Sequence, residues 1–296
     1  MVDNTDVWEF TNSAAAYECA KFGTGSNGGS AEATINLIAG EYTINFKAGA
    51  WDKSNEKTTL SLSATGADID ESSVTLVKGE FNDYSATLTV EDAGEVSFSF
   101  YTSSGGSRFF LDEVQLLAVN VTPTVSAAGW ATYVTPFDVE FAENTAFVVT
   151  SAGDKINAVS VTQVPAGTPL LLKGEGTKTA TVLATAPAAP TTNLLAISNG
   201  TQGDGDYVLY KDATHDVGFY KWSGTLDEGK VYLPADAVGE ARSFIGFDDA
   251  TTGINALDNL TNSQLDNAPM YNLAGQRVNK NYKGVVIVNG KKMLNK

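Results

Sequence analysis

Apolar and polar residues alternate along much of the chain with a period of two. From Tyr42 to Ala48 every second residue is apolar, and the residues between them are polar. This pattern predicts a β-strand with one buried face. The same alternation recurs at 60–62, 86–90 and 96–100, and glycine or Asn-Asp turns separate the runs. Short strands at this spacing favour a sandwich over alternating strands and helices.

Two segments stand out within this first region. Asn12–Lys21 is the one stretch with helical character, and we predict a short helix there. The apolar run Ser107–Val119 predicts the closing strand of the sandwich. A domain boundary is predicted near Asn120–Thr124, a short and mostly polar stretch that contains Pro123. We therefore assign residues 1–119 to an N-terminal β-sandwich.

Three further segments follow the sandwich. Residues 120–249 are assigned to a second β-rich domain, because they carry their own strand-like runs. These runs lie at 147–149, 159–164, 170–172, 207–210, 219–222, 231–233 and 244–247. Residues 250–268 hold few large apolar side chains, which predicts a linker. Residues 269–296 are assigned to a small C-terminal β unit, in which Asn289-Gly290 predicts a hairpin turn. The fold class predicted for the whole chain is all-β.

Charge is distributed unevenly. The net charge is −16, but residues 277–296 carry six basic side chains and no acidic one, which leaves −22 on residues 1–276. A region this acidic repels phosphate backbones, which excludes nucleic acid as a partner. It suits the binding of cations such as calcium. The single cysteine, Cys19, permits no intrachain disulfide. We expect no transmembrane segment, because the sequence has no run of 18 apolar residues. The first residues do not resemble a signal peptide, so a secreted parent protein would carry its signal upstream.

The C-terminal segment matches a known pattern. Pro269–Val278, followed by Gly284–Lys292, resembles the C-terminal sorting domain of the type IX secretion system of Bacteroidetes. That pattern comprises a tyrosine strand, a G-[QR]-x-V turn, a Gly-led apolar strand and an N-G-K-K end. Val286 departs from it, because an aromatic residue is common there. The resemblance implies export across the outer membrane, through interaction of residues 269–296 with the secretion machinery. The protein is then expected to be secreted or attached to the cell surface.

Two further resemblances concern the remainder of the chain. Cys19–Gly25, Phe46–Trp51 and Arg108–Val114 resemble segments of the β-sandwich modules of secreted Bacteroidetes proteins, and the last is similar to the closing strand of jelly-roll carbohydrate-binding modules. This implies a jelly-roll-like sandwich over residues 1–119. Residues 121–249, with Gly129–Thr132 and Val164–Pro169, resemble an uncharacterised β-domain that often precedes such sorting tags. The chain is thereby interpreted as the C-terminal region of a larger secreted protein.

Catalytic motifs are scarce. The one histidine, His215, lies in a loop-like run beside Asp216, and no nucleophile motif accompanies it. Zinc sites of the usual type need more His and Cys ligands than the chain has. The run Gly23–Gly29 lacks the lysine and following helix of a phosphate-binding loop. A pair of glycosidase carboxylates is not excluded, since acidic residues are plentiful.

A structural calcium ion is predicted in the sandwich. Strand alternation places Asp112 on the same face as Phe110, Val114 and Leu116, where a carboxylate needs a partner. The jelly-roll resemblance implies calcium held by this residue, a first-strand carboxylate and loop carbonyls, and Glu9 is the first-strand candidate. A salt bridge or hydrogen bonds at a sheet edge are the alternative.

Exposed aromatic residues are candidates for binding sugars, because the C–H face of a pyranose stacks on an aromatic ring while polar side chains bind its hydroxyls. The candidates are Trp51, Phe81, Tyr84, Tyr101 and Arg108. The competing interpretation is structural, since Trp51 and Tyr101 each follow a strand run and would bury well.

Together these features predict a non-catalytic accessory region that binds polysaccharide and is exported by a C-terminal tag. A structural or adhesive surface protein without sugar binding is the first alternative. A hydrolase with an unrecognised carboxylate site is the second.

Overall fold

The computed structural model describes residues 7–16, 19–201, 203–211, 216–238, 242–247, 255–256, 270–272, 276–278, 282–288 and 291–295. In chain order the strands of the first region are β1 (Trp8–Thr11), β2 (Ser13–Ala16), β3 (Cys19–Phe22), β4 (Ser30–Leu37), β5 (Gly40–Ala50), β6 (Thr59–Thr65), β7 (Asp68–Ile69), β8 (Ser73–Thr75), β9 (Asn82–Val90), β10 (Gly94–Tyr101) and β11 (Phe109–Val121). The predicted all-β fold is confirmed, and β11 lies where the closing strand was expected.

These strands form a sandwich of two antiparallel sheets. The front sheet has the order β1-β4-β10-β6-β8, and the back sheet has the order β11-β5-β9-β7, with the hairpin β2–β3 added along the first residues of β11. Alternating residues from both sheets fill the space between them. The largest fully buried side chains among them are Phe22, Ile44, Phe46, Leu60, Leu88, Phe100 and Phe109. The period-two pattern of the sequence therefore places one face of each sheet in a common core.

The helix predicted over Asn12–Lys21 is wrong. The segment forms β2 and β3, which pair from Ser13↔Phe22 to Ala16↔Cys19. Strand β3 then pairs with β11, where Lys21 lies opposite Phe110. Alanine has a high helix propensity, but intrinsic propensity is small compared with tertiary interactions, and hydrogen bonding to the exposed edge of β11 outweighs it here.

A β-bulge in β11 changes which residues face the core. The register against β5 shifts between Asp112 and Gln115, and Glu113 has a positive φ of 48°. Before the bulge, Leu111 is buried while Phe110 and Asp112 lie on the outer face; after it, Val114 packs against the core. The expectation that Asp112 shares a face with Val114 and Leu116 is therefore wrong, because one extra residue reverses the alternation.

The second region is also built from strands. They are β12 (Thr124–Val125), β13 (Trp130–Val134), β14 (Val139–Phe141), β15 (Ala146–Ala152), β16 (Ile156–Val161), β17 (Gln163–Val164), β18 (Pro169–Lys173), β19 (Gly176–Thr177), β20 (Ala180–Val182), β21 (Ala196–Ile197), β22 (Tyr207–Tyr210), β23 (Gly218–Lys221), β24 (Val231–Tyr232) and β25 (Phe244–Gly246). A 3-10 turn spans Ala235–Ala237. The sheets have the orders β13-β18-β15-β16, β22-β23-β25, β21-β24 and β12-β19.

Strand β11 connects the two regions through backbone hydrogen bonds. Its last residues pair with β20, and β14 and β17 extend the back sheet from there. The Asn120 side chain accepts a hydrogen bond from the Glu41 backbone N–H (3.1 Å) and donates one to the Glu41 carboxylate (3.1 Å). The predicted boundary near residue 120 therefore falls within a paired strand. The assignment of separate domains on either side of it stays a prediction.

The C-terminal strands are β26 (Asn255–Ala256), β27 (Met270–Asn272), β28 (Arg277–Val278), β29 (Gly284–Val288) and β30 (Lys291–Asn295). They form a sheet in the order β26-β30-β29-β27-β28, in which β26 runs parallel to β30. A strand thus occurs inside the segment predicted to be a linker. The rest of 250–268 and the Asn289-Gly290 turn lie outside the described residues. Among the described residues, no helix is long and apolar enough to cross a membrane.

Candidate ligand-binding groove

An open groove of about 760 Å³ lies on the outer face of the back sheet. Its lining residues are Cys19, Gly49, Ala50, Gly79, Glu80, Phe81, Phe110 and Asp112. The floor is formed by β5 and β11, where Gly49 pairs with Phe110. The backbone at Glu80 crosses directly over Gly49, and a Cβ added there would lie closer than 3.0 Å to the Glu80 carbonyl oxygen. Glycine at position 49 therefore permits the loop before β9 to form one wall of the groove.

Two aromatic rings, Phe81 and Phe110, line this groove, and the ring of Trp51 packs beside Phe110. The rings of Phe110 and Trp51 stack with their centroids 5.6 Å apart and an interplanar angle of 12°. Phe81 is tilted against Phe110 at 6.1 Å, and 46% of its surface is exposed. Phe110 was not among the ligand-binding residues predicted from the sequence. The strand alternation, in which Phe109 points into the core and Phe110 points outward, was a signal that could have identified it.

Trp51 is held in place by Arg108 and Glu56. The Trp51 backbone N–H donates to the Arg108 carbonyl (3.1 Å), and the guanidinium carbon lies 5.0 Å from the Trp51 ring centroid. The Glu56 carboxylate accepts hydrogen bonds from Arg108 Nε (2.9 Å), Nη2 (2.6 Å) and its backbone N–H (2.7 Å). The Glu56 side chain is only 2% exposed. These hydrogen bonds lower the pKa of Glu56 and raise that of Arg108, so both groups are charged. Arg108 therefore positions the Trp51 ring, and its contact with a ligand stays a prediction.

Polar groups surround the aromatic rings. The Lys21 ammonium lies 5.5 Å from the Trp51 ring centroid, and Asp112 lines the groove. Burial, and secondarily the Asp112 carboxylate, raises the pKa of Cys19, so the thiol stays protonated at neutral pH. On the same outer face, Lys47 and Glu113 form an exposed ion pair at 2.9 Å. The groove thus combines an apolar lining with the Asp112 and Glu80 side chains, and Lys21 lies beside the neighbouring Trp51 ring.

Two of the candidate aromatic residues lie elsewhere. The ring of Tyr84 stacks on the core residue Phe46 at 5.6 Å, and its hydroxyl donates to the Thr75 carbonyl (3.1 Å). Tyr101 is exposed at the end of β10, where it lines a polar depression of the front sheet together with Glu32. The structure therefore brings Trp51, Phe81 and Arg108 together and leaves Tyr84 and Tyr101 apart from them.

The two calcium candidates lie on different sheets. Glu9 belongs to β1 of the front sheet, where it pairs with Glu32, whereas Asp112 is on the outer face of the back sheet. One Asp112 carboxylate oxygen accepts a hydrogen bond from the Glu113 backbone N–H (2.8 Å). No group of three or more His, Cys, Asp or Glu side chains in the described part of the chain is arranged to hold a metal ion. Structural calcium stays a prediction, and a melting temperature unchanged by EDTA would contradict it. His215 lies outside the described residues.

Comparison with protein-family models finds no match. Comparison with curated proteins finds none either. Among solved structures, TmCBM61 in complex with β-1,4-galactotriose shares 12% identity over 39% of this chain and 84% of its own, with a TM-score of 0.29. A CBM4 structure shares 17% identity over 38% of this chain and 77% of its own, with a TM-score of 0.26. At these scores, neither structure assigns a ligand to this chain.

Proposed function

We propose that this chain is a non-catalytic region that binds neutral polysaccharide in the groove beside Phe110. The row of rings formed by Phe81, Phe110 and Trp51 is the observation that carries the proposal. Aromatic faces bordering an open groove suit the C–H faces of pyranose rings, and the groove is open enough to take an internal stretch of a long chain. Asp112 and Lys21 provide hydrogen-bonding groups for sugar hydroxyls. The strong negative charge of the chain disfavours anionic polymers.

The expected affinity is modest. A few stacked rings and hydrogen bonds must offset the lost freedom of a flexible glycan, so a Kd on the order of 10–1000 μM is expected. Isothermal titration of the full chain with β-1,4-galactan, xylan and mixed-linkage β-glucan tests the proposal. Binding to one of them supports it.

Two other outcomes would replace this proposal. The absence of binding to any polysaccharide at high protein concentration would favour a structural or adhesive surface protein. Release of reducing sugars from one of the polymers would instead identify a hydrolase, whose carboxylates would then be sought among the acidic residues near the groove.

We also propose that residues 269–296 are a sorting tag that directs a larger protein through type IX secretion to the cell surface or the medium. The resemblance of the Pro269–Lys292 segment supports this assignment. The reversal of charge between residues 1–276 and the last twenty residues is consistent with a segment recognised by separate machinery.

A further inference from the structure

A second aromatic surface lies on the sheet β22-β23-β25, far along the chain from the groove. Tyr207, Phe219 and Ile245 point from this sheet into the core of the second region. Their neighbours along the strands point the opposite way: Tyr210 is 46% exposed and Phe244 is 37% exposed. We call this outer face, with Tyr210, Tyr220, Trp222 and Phe244, the aromatic platform.

The far edge of the Phe244 ring lies over two glycines of this sheet. Gly218 and Gly246 face each other on neighbouring strands, and the Phe244 ring extends across both. A Cβ added at Gly218 would lie closer than 3.0 Å to ring atoms Cε2 and Cζ, and one at Gly246 would lie 3.2 Å from Cζ. The glycine pair therefore creates the space for the ring. Phe244 keeps 37% of its surface exposed in this position, and an exposed ring face is the part of an aromatic residue that stacks on a pyranose.

Other rings extend the platform around Phe244. Tyr220 packs against Phe244 with centroids 4.6 Å apart, and Tyr210 meets Tyr220 edge-on at 5.8 Å. The Tyr220 hydroxyl donates to the Asp216 carbonyl (2.9 Å), which fixes its ring. Pairing with β22 continues one residue beyond β23, because the Trp222 backbone N–H donates to the Asp206 carbonyl (2.7 Å). Strand alternation thus places Trp222, which is 41% exposed, on the same side as Tyr220.

The size of the platform argues for a glycan rather than a folded protein. Three strands about 4.8 Å apart, each three or four residues long at about 3.3 Å per residue, present a surface of roughly 150–200 Å². A stable protein interface needs about 800 Å² on each partner. A surface this small and flat instead matches a short run of sugar rings, whose flat apolar faces are complementary to aromatic rings.

We propose that the aromatic platform is a second polysaccharide-binding surface, in which the exposed rings of Phe244 and Trp222 stack on pyranose rings. It uses residues separate from the groove and does not depend on it. Two such surfaces on one chain make the binding of a long polymer multivalent, so the apparent affinity for polymer exceeds that for a short oligosaccharide.

Fluorine NMR of the full chain labelled with 5-fluorotryptophan separates the two surfaces. The four tryptophans are Trp8, Trp51, Trp130 and Trp222. Trp51 reports on the groove and Trp222 on the platform, while Trp130, stacked on Phe247 at 4.2 Å, is an internal control. Each resonance is assigned by its Trp→Phe variant. On addition of β-1,4-galactan, xylan or mixed-linkage β-glucan, we expect the Trp222 resonance to shift or broaden. The position and width of the Trp130 resonance should stay unchanged.

The experiment distinguishes failure of the platform proposal from failure of the proposal that the groove binds polysaccharide. A Trp222 resonance unchanged by every polymer overturns the platform, whether or not Trp51 responds. A Trp222 resonance that instead moves with protein concentration, before any polysaccharide is added, overturns it in favour of contact between copies of the chain. A response at Trp222 alone supports the platform and refutes the groove.

Variants of Phe244 distinguish ring stacking from general hydrophobic contact. In titrations with the responding polymer, Phe244→Leu is expected to weaken binding about 3- to 10-fold, because it keeps apolar volume but loses the ring face. Phe244→Tyr is expected to retain binding. Melting temperatures verify that both variants fold. Equal binding by Phe244→Leu and the wild type would overturn the assigned role of the ring.

Discussion

The side chains at the groove divide into those that can contact a ligand and those that position them. Phe81 is the most exposed of the three rings, and it lies at the edge of the groove. Trp51 has its ring close to Phe110, Arg108 and Lys21. Phe81 is therefore the residue whose removal tests ligand contact with the least effect on folding.

We predict that Phe81→Ala raises the Kd for the bound polysaccharide about 3- to 10-fold, because one stacking contact of about 0.5–1.5 kcal/mol is lost. Isothermal titration measures the change, and the melting temperature should move little. Tyr101→Ala is the matched control, since Tyr101 is an exposed aromatic residue on the opposite sheet. A loss of affinity in Tyr101→Ala but not in Phe81→Ala would place the site on the front sheet instead.

A second prediction concerns the buried ion pair. Glu56→Gln should lower the free energy of unfolding by about 3 kcal/mol, because it leaves the Arg108 charge without its partner in a buried site. Urea denaturation measures this change. Lys47→Gln removes a partner from the exposed Lys47–Glu113 pair and serves as the control, with little change expected. Equal effects of the two substitutions would contradict the role assigned to Glu56.

The same ion pair predicts a dependence of stability on pH. Hydrogen bonds from Arg108 hold the pKa of folded Glu56 below its ordinary value of 4.5. The pair therefore stabilises the folded state fully above pH 4.5, and this contribution is lost as the pH falls through the lower pKa of the folded state. The stability difference between the wild type and Glu56→Gln should shrink on acidification below pH 4.5 and be largest above it. A difference that grows on acidification would contradict this assignment.

At the scale of elements, the groove depends on a loop that crosses a strand. The chain before β9 passes over β5 at Gly49, where the backbone of Glu80 leaves no room for a side chain. The bulge at Glu113 acts on the neighbouring strand, because it keeps Phe110 and Asp112 outside while the later residues of β11 return to the core. The groove thus results from two local departures from regular pairing.

We predict that Gly49→Ala lowers the free energy of unfolding by about 1–3 kcal/mol and weakens polysaccharide binding, because the added methyl group displaces the Glu80 backbone. Gly94→Ala is the matched control, since it also lies in a strand and its added Cβ would meet nothing within 4 Å. Thermal and urea unfolding measure stability, and titration measures binding. If both variants behave alike, the close approach at Gly49 does not shape the groove.

At the scale of the whole molecule, backbone pairing joins the region that carries the groove to the region that carries the aromatic platform. Strand β11 pairs with β5 of the sandwich and with β20 of the second region, and the Glu41–Asn120 hydrogen bonds reinforce that junction. Under the proposed function, a long glycan bound at one surface would be tethered to the same molecule that carries the other.

The tail gives a prediction at this scale. Residues 250–296 fused to a periplasm-directed reporter should bring the reporter to the surface of a bacterium with type IX secretion, and deletion of Lys291–Lys296 should retain it in the periplasm. Residues 291–295 form β30, the strand that pairs with both β26 and β29, so the deletion removes a central strand as well as three lysines. Replacing these lysines with serine separates the two effects. Surface display that persists after the deletion would remove the sorting role.

Period-two alternation was sufficient to predict the all-β class, the strands of the sandwich core and the closing strand, because a half-buried strand imposes that period locally. Residue type was sufficient to nominate Trp51, Phe81 and Arg108 as candidates, and the structure brings them together, but ligand contact by each stays a prediction. The charge reversal and apolar runs of the tail were likewise visible in the sequence.

Only the tertiary structure decided the features that depend on residues far apart in the chain. Strands β2 and β3 form within Asn12–Lys21 because β11 offers an edge for hydrogen bonding, and Val114 faces the core although Asp112 faces outward because a bulge lies between them. The sequence also did not determine which aromatic rings contact one another. Tyr84 and Phe81 are three residues apart, yet Tyr84 packs on the core and Phe81 lines the groove. The Phe244 ring has room on the sheet because two glycines on different strands face each other, and that register is set by pairing rather than by sequence neighbours.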